Sequence, residues 1–207
     1  MRIILVVTGT LAFFFMSCFQ TPTKKLPIIG NHEIVGNDTI YHQISNFEFI
    51  NQDSIYINNR TLSNNIYLAD FFYTYCPSVC PKVKSQMLRI HDKFQNNESV
   101  KLISFALDPK RDNVPNLKLY SENLEISNDK WHFLSGNKDE IWELAEEFLV
   151  SVREDPEEPG GIFHSGKILL IDTNGYIRAF ANGTIENEVD KLMTSIEILL
   201  KENENSL

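Results

Sequence analysis

The octapeptide Thr-Tyr-Cys-Pro-Ser-Val-Cys-Pro, residues 74–81, is the segment from which the architecture of this chain can be worked out. It follows an apolar, strand-like run at 66–72 and precedes an amphipathic helical pattern. Thiols at such a junction lie where the positive end of a helix dipole favours thiolates. Cys76 and Cys80 are four positions apart, so both project from one helix face. The pair predicts either a redox-active dithiol or two ligands for one soft metal ion.

The simplest alternative for Cys76 and Cys80 is a structural disulfide, which would leave the flanking prolines and the helix-start position unexplained.

The third cysteine, Cys18, belongs to a different feature, an N-terminal export signal. A short positive start precedes an uncharged apolar run at 3–16, and Phe-Met-Ser-Cys at 15–18 resembles the lipobox of bacterial lipoprotein signals, although a leucine is usual at the phenylalanine position. We therefore expect Cys18 to be lipidated. An uncleaved membrane anchor is the alternative, and both place the domain outside the cytoplasm.

Composition and charge limit the class of protein. The chain has 207 residues, 43% of them hydrophobic, which is enough for one domain with a core that needs no disulfides. Its net charge of −9 and the lack of a Lys/Arg cluster argue against a nucleic-acid partner. We predict a lipoprotein-type signal peptide and anchor cysteine at 1–18, a flexible linker at 19–40 and a folded domain at 41–207.

The order of predicted elements indicates an α/β fold. We expect a three-layer α/β/α sandwich with an N-terminal β-hairpin extension. The predicted strands are two in a hairpin across 47–57, buried strands at 66–72 and 100–107, a short strand at 131–134 and a hairpin at 167–180; the predicted helices run from the cysteines to 94 and over 114–120, 138–148 and 186–202.

This order, with a dithiol opening the first core helix, is that of a thioredoxin-like fold. In thioredoxins a later β-hairpin brings a cis-proline loop beside the dithiol. Here the segment leading into that hairpin is 162–167, and a histidine, His164, stands near the place of that proline. We expect His164 to face Cys76 and Cys80 if the fold is formed. For a single histidine, a surface loop position is the usual alternative.

Several segments together resemble the Sco/SenC family of copper-binding cytochrome oxidase assembly proteins. The resemblance runs from about residue 47 to the C-terminal helix. It rests on the Cys-x-x-x-Cys-Pro motif followed by a distant His-Ser, and on the segments 70–74, 104–112, 131–136 and 159–165. It implies a membrane-tethered copper chaperone on the periplasmic face, with Cys76, Cys80 and His164 as metal ligands.

The resemblance also implies the cargo and the partners. Two thiolates and an imidazole suit Cu(I), whereas a structural zinc site would usually have a fourth protein ligand. We expect one copper per chain, as Cu(I) and also as Cu(II), a copper donor protein, and the copper-bearing subunit of cytochrome c oxidase as recipient. A thioredoxin-type thiol–disulfide oxidoreductase, with Cys76 as nucleophile and Cys80 as resolving thiol, is the alternative function.

The remaining candidate is Asp108, which follows the second buried strand at the carboxyl edge of the sheet, where sites in open α/β sheets collect. It either supports the site or faces a partner, or it forms a turn with Pro109. The other histidines are assigned to packing or to the linker and not to the metal: His32, His42, His91 and His132.

Overall fold

A computed structural model describes residues 25–126 and 129–204. The strands are β1 (His32–Val35), β2 (Asp38–Tyr41), β3 (Glu48–Asn51), β4 (Tyr56–Asn58), β5 (Ile66–Phe72), β6 (Val100–Ala106), β7 (Trp131–Ser135), β8 (Val152–Glu154), β9 (Ile162–His164), β10 (Lys167–Ile171) and β11 (Ile177–Asn182). The helices are α1 (Asn59–Leu62), α2 (Val79–Phe94), α3 (Val114–Asn123), α4 (Lys138–Glu147) and α5 (Glu186–Glu204).

Seven strands form the central sheet in the order β11-β10-β5-β6-β7-β3-β4. The three in the middle, β5, β6 and β7, are parallel, while β10 joins β5 and β3 joins β7 in antiparallel pairs. Every residue of β5 is buried, as its continuous apolar run predicts for a strand covered on both faces. The predicted hairpins form as β3–β4 and β10–β11, so the α/β prediction is confirmed.

Aromatic side chains divide the core into two layers, because successive residues of a strand point to opposite faces. Phe71 packs against Phe105 and Phe148 on one face, at the end of α4. Phe72 packs on the other face against Phe133 and against Tyr120 of α3. Helix α2 and helix α5 contact each other and the strand β10 on this second face. The thioredoxin-like three-layer sandwich expected from the sequence is therefore present.

Part of the segment predicted as a flexible linker forms secondary structure. Strands β1 and β2 form a separate antiparallel hairpin, and Ile29 pairs with Ile177 at the edge of the main sheet. The reason is a turn at Gly36, which has a positive φ of 65°, between two short runs with β-branched residues. The predicted signal peptide and anchor cysteine at 1–18, and residues 19–24, lie outside the described residues. Within the described ranges, no helix is both long enough and apolar enough to cross a membrane.

A second unpredicted feature lies within the acidic segment before the last hairpin. Strands β8 and β9 pair with each other and form a small sheet of their own, with Val152 opposite His164. The sequence here is rich in proline, glycine and acidic residues, so it indicates only a loop. The small sheet carries His164 and therefore bears directly on the site.

Candidate metal centre

The structure brings the three predicted ligands together. The Sγ atoms of Cys76 and Cys80 and a ring nitrogen of His164 all lie within 4.8 Å of one another. The Nε2 atom of His164 lies 3.2 Å from the Sγ atom of Cys80, although the two residues are 84 positions apart in sequence. All three side chains are buried, with exposed fractions of 7% for Cys76, 5% for Cys80 and 6% for His164. The group is therefore a compact, nearly dry cluster of soft ligands.

The junction between β5 and α2 positions the two cysteines. Helix α2 begins at Val79, so Cys80 lies in its first turn while Cys76 lies just ahead of it. The backbone N–H of Cys80 donates to the Sγ atom of Cys76 at 3.4 Å. Free N–H groups at a helix N-terminus favour negative charge, which stabilises a thiolate at Cys76.

The histidine is positioned by contacts on both sides of its loop. The ring of Tyr73 packs edge-on against the His164 ring, at 5.7 Å between centroids, and its hydroxyl lies 3.1 Å from the carbonyl oxygens of Pro159 and Ile162. Beyond the histidine, Gly166 lies so close to the start of α2 that a Cβ atom there would be 2.7 Å from a methyl carbon of Val79. These contacts hold the segment that carries His164 against the start of α2, which carries Cys80.

Asp112 fixes the cysteine loop from the opposite side, a role that the sequence reasoning did not assign. Its carboxylate accepts from the backbone N–H of Thr74 at 3.1 Å and also from the Thr74 hydroxyl. Burial raises the pKa of Asp112, and the two hydrogen bonds from Thr74 oppose that rise. The available sequence signal is its place in the segment 104–112, in which the sequence predicts Asp108 as the candidate.

The two thiols differ in pKa. Burial alone raises the pKa of Cys76, but hydrogen bonds from His164, from Cys80 and from the backbone outweigh burial and lower it to about 5. Burial raises the pKa of Cys80 well above its ordinary value, and the neighbouring charge of Cys76 adds to that rise. At neutral pH the site therefore holds one thiolate and one thiol.

The donor set fits copper better than structural zinc. Within residues 25–126 and 129–204, no fourth His, Cys, Asp or Glu joins this group. Structural zinc sites are almost always four-coordinate, whereas two sulfurs and one imidazole are soft ligands that also suit copper. Neither cysteine is in a disulfide in this structure, so both sulfurs are available as ligands.

The remaining candidates lie outside the group. Asp108 forms a turn: its carbonyl accepts from the backbone N–H groups of Arg111 and Asp112, and its carboxylate pairs with Arg111 at 3.4 Å. His132 is half-buried, 3.2 Å from the Asn51 amide, and burial lowers its pKa to about 4. His42 contacts the carbonyl of Glu147 at 2.7 Å. A role for Asp108 towards a partner stays a prediction.

Comparison with known sequences agrees with the resemblance found in the sequence. The model of the SCO1/SenC family matches residues 37–200. A SCO1 protein homolog of Bacillus subtilis is 27% identical over 199 residues, covering 95% of this chain and 97% of the relative.

Solved structures with the same architecture include three with Sco names. A SCO1/SenC family lipoprotein from Bacillus anthracis gives a TM-score of 0.69 at 25% identity, covering 76% of this chain and 95% of that chain. BsSco, described as a member of the Sco family of cytochrome c oxidase assembly proteins, gives 0.66 at 29% identity, with coverages of 75% and 92%. ScoI of Bradyrhizobium japonicum with copper bound gives 0.57 at 25% identity, with coverages of 73% and 98%.

Proposed function

The chain belongs to the SCO1/SenC family, and from this premise we propose that it is a membrane-tethered copper chaperone outside the cytoplasm. It binds one copper ion through Cys76, Cys80 and His164 and passes it to the copper-bearing subunit of cytochrome c oxidase. The observation that carries the proposal is the buried group of two sulfurs and one imidazole within 4.8 Å. The copper-bound state of the B. japonicum relative supports it.

In this proposal each residue of the site has a different role in binding and releasing copper. Cys76 carries a thiolate at neutral pH and is the first attachment point for an arriving ion. Cys80 keeps its proton until the metal displaces it, because ligands must be deprotonated to bind. His164, at the end of β9, supplies the third ligand. Three ligands leave a coordination position at which a partner's ligand can enter, so exchange of copper requires no prior unfolding.

Location and partners rest on the relatives. The B. anthracis relative is a lipoprotein, which supports acylation of Cys18 and a periplasmic-face location. BsSco is described as belonging to the cytochrome c oxidase assembly proteins, which supports the oxidase as recipient. A separate protein would supply the copper. The net charge of −9 fits the absence of nucleic acid from this scheme.

Thiol–disulfide exchange is the second candidate function, and the unequal thiols favour it. A thiolate at Cys76 beside a protonated Cys80 is the arrangement of an attacking and a resolving thiol. In this scheme the Cys76 thiolate attacks a partner's disulfide and forms a mixed disulfide. Cys80 then displaces the partner's thiol, which leaves the partner reduced and the Cys76–Cys80 pair oxidised.

One paired experiment on His164→Ala tests the chaperone function against the oxidoreductase. The substitution removes a ligand and leaves both thiols, so we expect Cu(I) affinity to fall at least about 100-fold, since losing even a group that orients a ligand costs 10–100-fold. Reduction of a test disulfide should persist at a lower rate, because both cysteines remain although Cys76 loses the hydrogen bond from His164 that lowers its pKa. Copper affinity is measured anaerobically by competition with a chelator on the full chain in detergent, and exchange is measured on the same sample.

His32→Ala is the matched control, because His32 is exposed on β1. It should leave both properties unchanged. Unchanged copper affinity in His164→Ala together with impaired disulfide reduction would overturn the chaperone proposal in favour of the oxidoreductase.

A further inference from the structure

A buried cation lies directly behind the candidate copper site. Lys84 is in α2, four residues after Cys80, and only 4% of its surface is exposed. Lysine is almost never this deeply buried unless its charge is paired. The proposed copper chemistry does not use Lys84 as a ligand, so its position needs another explanation.

The Lys84 ammonium is surrounded by groups that stabilise a positive charge. It donates to the Asp70 carboxylate at 3.2 Å and to the Ser104 hydroxyl at 3.0 Å. It also lies over the faces of Phe72, Trp131 and Phe133, at 4.3, 4.8 and 5.1 Å from their centroids. Aromatic faces attract cations, more strongly where water is excluded.

The hydrogen bonds around Lys84 are those of an ion pair: burial lowers the pKa of Lys84, and the Asp70 carboxylate opposes that change. Both carboxylate oxygens of Asp70 accept, one from Lys84 and the other from the Ser104 hydroxyl. Ser104 in turn accepts from the Trp131 indole N–H at 2.9 Å. A carboxylate that accepts at both oxygens in a dry interior needs a cation beside it, because an unpaired buried charge is very costly.

The positive end of this pair lies on the helix that carries Cys80. Side chains four positions apart on a helix are neighbours, so the Lys84 side chain follows that of Cys80 on one face of α2, whereas Asp70 lies on β5. Burial raises the pKa of Cys80, and the positive charge of Lys84 acts in the opposite direction. The field of Lys84 therefore reaches the sulfur of a proposed copper ligand.

We propose that Lys84 is a positioning residue whose fixed charge makes the site prefer monovalent over divalent copper. The inference rests on the proposed copper function. With two thiolates and a neutral imidazole, the Cu(I) complex is one charge unit more negative than the Cu(II) complex. A cation behind the ligands stabilises the more negative complex. The charge therefore shifts the ratio of Cu(I) to Cu(II) affinity by at least about tenfold.

The test compares Cu(I) and Cu(II) affinities in the same variants of the full chain. Lys84→Met removes the charge and keeps the length of the side chain, so the ratio of Cu(I) to Cu(II) affinity should fall at least about tenfold. Ser104→Ala is the matched control: it removes hydrogen bonds from the same network and keeps both charges. Its ratio should stay near that of the wild type. Lys84→Gln, which retains a donor for Asp70, replaces Lys84→Met if that variant does not fold.

A readout without copper separates this inference from the proposed function. In a glutathione buffer, two glutathione thiols give two electrons to the Cys76–Cys80 disulfide, the protein S–S bond breaks and one glutathione disulfide forms. The reduced cysteine pair can carry negative charge, which the positive charge of Lys84 beside Cys80 stabilises, whereas the disulfide carries none. Lys84→Met should therefore shift the equilibrium towards the protein disulfide, at least about threefold.

The outcomes distinguish the role of Lys84 from the proposed copper function. An unchanged affinity ratio and an unchanged disulfide equilibrium in Lys84→Met would overturn the role of Lys84, as would an equal shift in Ser104→Ala. A wild-type protein that binds no Cu(I) would overturn the proposed function, and the disulfide equilibrium would still test the charge of Lys84.

Discussion

At the scale of single residues, the site depends on the difference between two thiols. Cys76 precedes α2 and accepts the backbone N–H of Cys80, whereas Cys80 is deeper in the core beside the Tyr73 loop. Hydrogen bonds to the charged form lower a pKa, and burial raises the pKa of an acid. The same residue type therefore serves as a thiolate at one position and as a thiol at the other.

This difference predicts which cysteine reacts in mildly acidic solution. In the wild-type protein, alkylation of Cys76 by iodoacetamide should follow a titration with a midpoint near pH 5, since the thiolate is the reactive form and the pKa of Cys76 is about 5. In Cys76→Ser, alkylation of Cys80 should stay slow until alkaline pH. Rates are followed by mass spectrometry against pH. A midpoint for Cys76 near that of a free cysteine would contradict the hydrogen-bonded thiolate.

At the scale of secondary structure, the site is the meeting of two loops. The β5–α2 loop carries the cysteines, and the segment from β9 to β10 carries His164. Gly166 allows the second segment to approach the first turn of α2, because a side chain there would collide with Val79 and lie close to Val83. A residue without a Cβ atom is the requirement for such an approach.

Gly166→Ala should weaken copper binding without touching a ligand. The added methyl must push the histidine segment away from α2, so we expect Cu(I) affinity to fall at least about tenfold, as for a lost orienting group. The double variant with Val79→Ala removes the atom that lies 2.7 Å from the new Cβ and should recover most of the loss. Both are measured by chelator competition. Wild-type affinity in the single variant would show that the close approach does not set ligand geometry.

At the scale of the whole molecule, the sheet brings together ligands that are far apart in sequence and then covers them. Cys76 lies just before α2, Cys80 in its first turn and His164 at the end of β9. All three are buried, because Tyr73, Asp112 and the β8–β9 sheet enclose them. Burial strengthens the electrostatic interactions of these ligand atoms and excludes water from them.

Oxidation should switch copper binding off for the whole domain. A Cys76–Cys80 disulfide removes both sulfur ligands, and its geometry requires Cα atoms about 4.4–6.8 Å apart. We expect copper affinity to fall at least about 100-fold, with backbone changes confined to residues 77–81. Chelator competition measures the copper affinity of the oxidised and the reduced protein. Amide NMR chemical shifts of the two forms show which backbone residues change. Equally tight copper binding by the oxidised form would show that the ligand assignment is wrong.

The attachment of the molecule to a membrane is a separate prediction. We expect Cys18 to be acylated and the residues before it to be removed, because a positive start and a short apolar run precede a lipobox-like segment. Mass spectrometry of protein extracted from membranes measures both changes. An intact Met1 or an unmodified Cys18 would contradict lipoprotein processing.

The sequence by itself determined the order of strands and helices, the α/β class and the three ligand candidates. Apolar runs such as 66–72, the Asn174-Gly175 turn and the spacing of the cysteines are local signals that tertiary contacts did not override. The cap at Asn113 is a further local signal, because asparagine is favoured at this position and its side chain accepts from the backbone N–H of Asn116.

Only the tertiary structure decided how the site is supported. Lys84, Tyr73 and Asp112 act through contacts with residues 14 to 89 positions away, and no local pattern marks such pairs. The β8–β9 sheet also pairs residues on either side of a segment whose sequence indicates only a loop. The β1–β2 hairpin differs, because it is exposed and forms around the local turn at Gly36. Unequal thiols likewise follow from burial and hydrogen bonds, which exist only once the chain has folded.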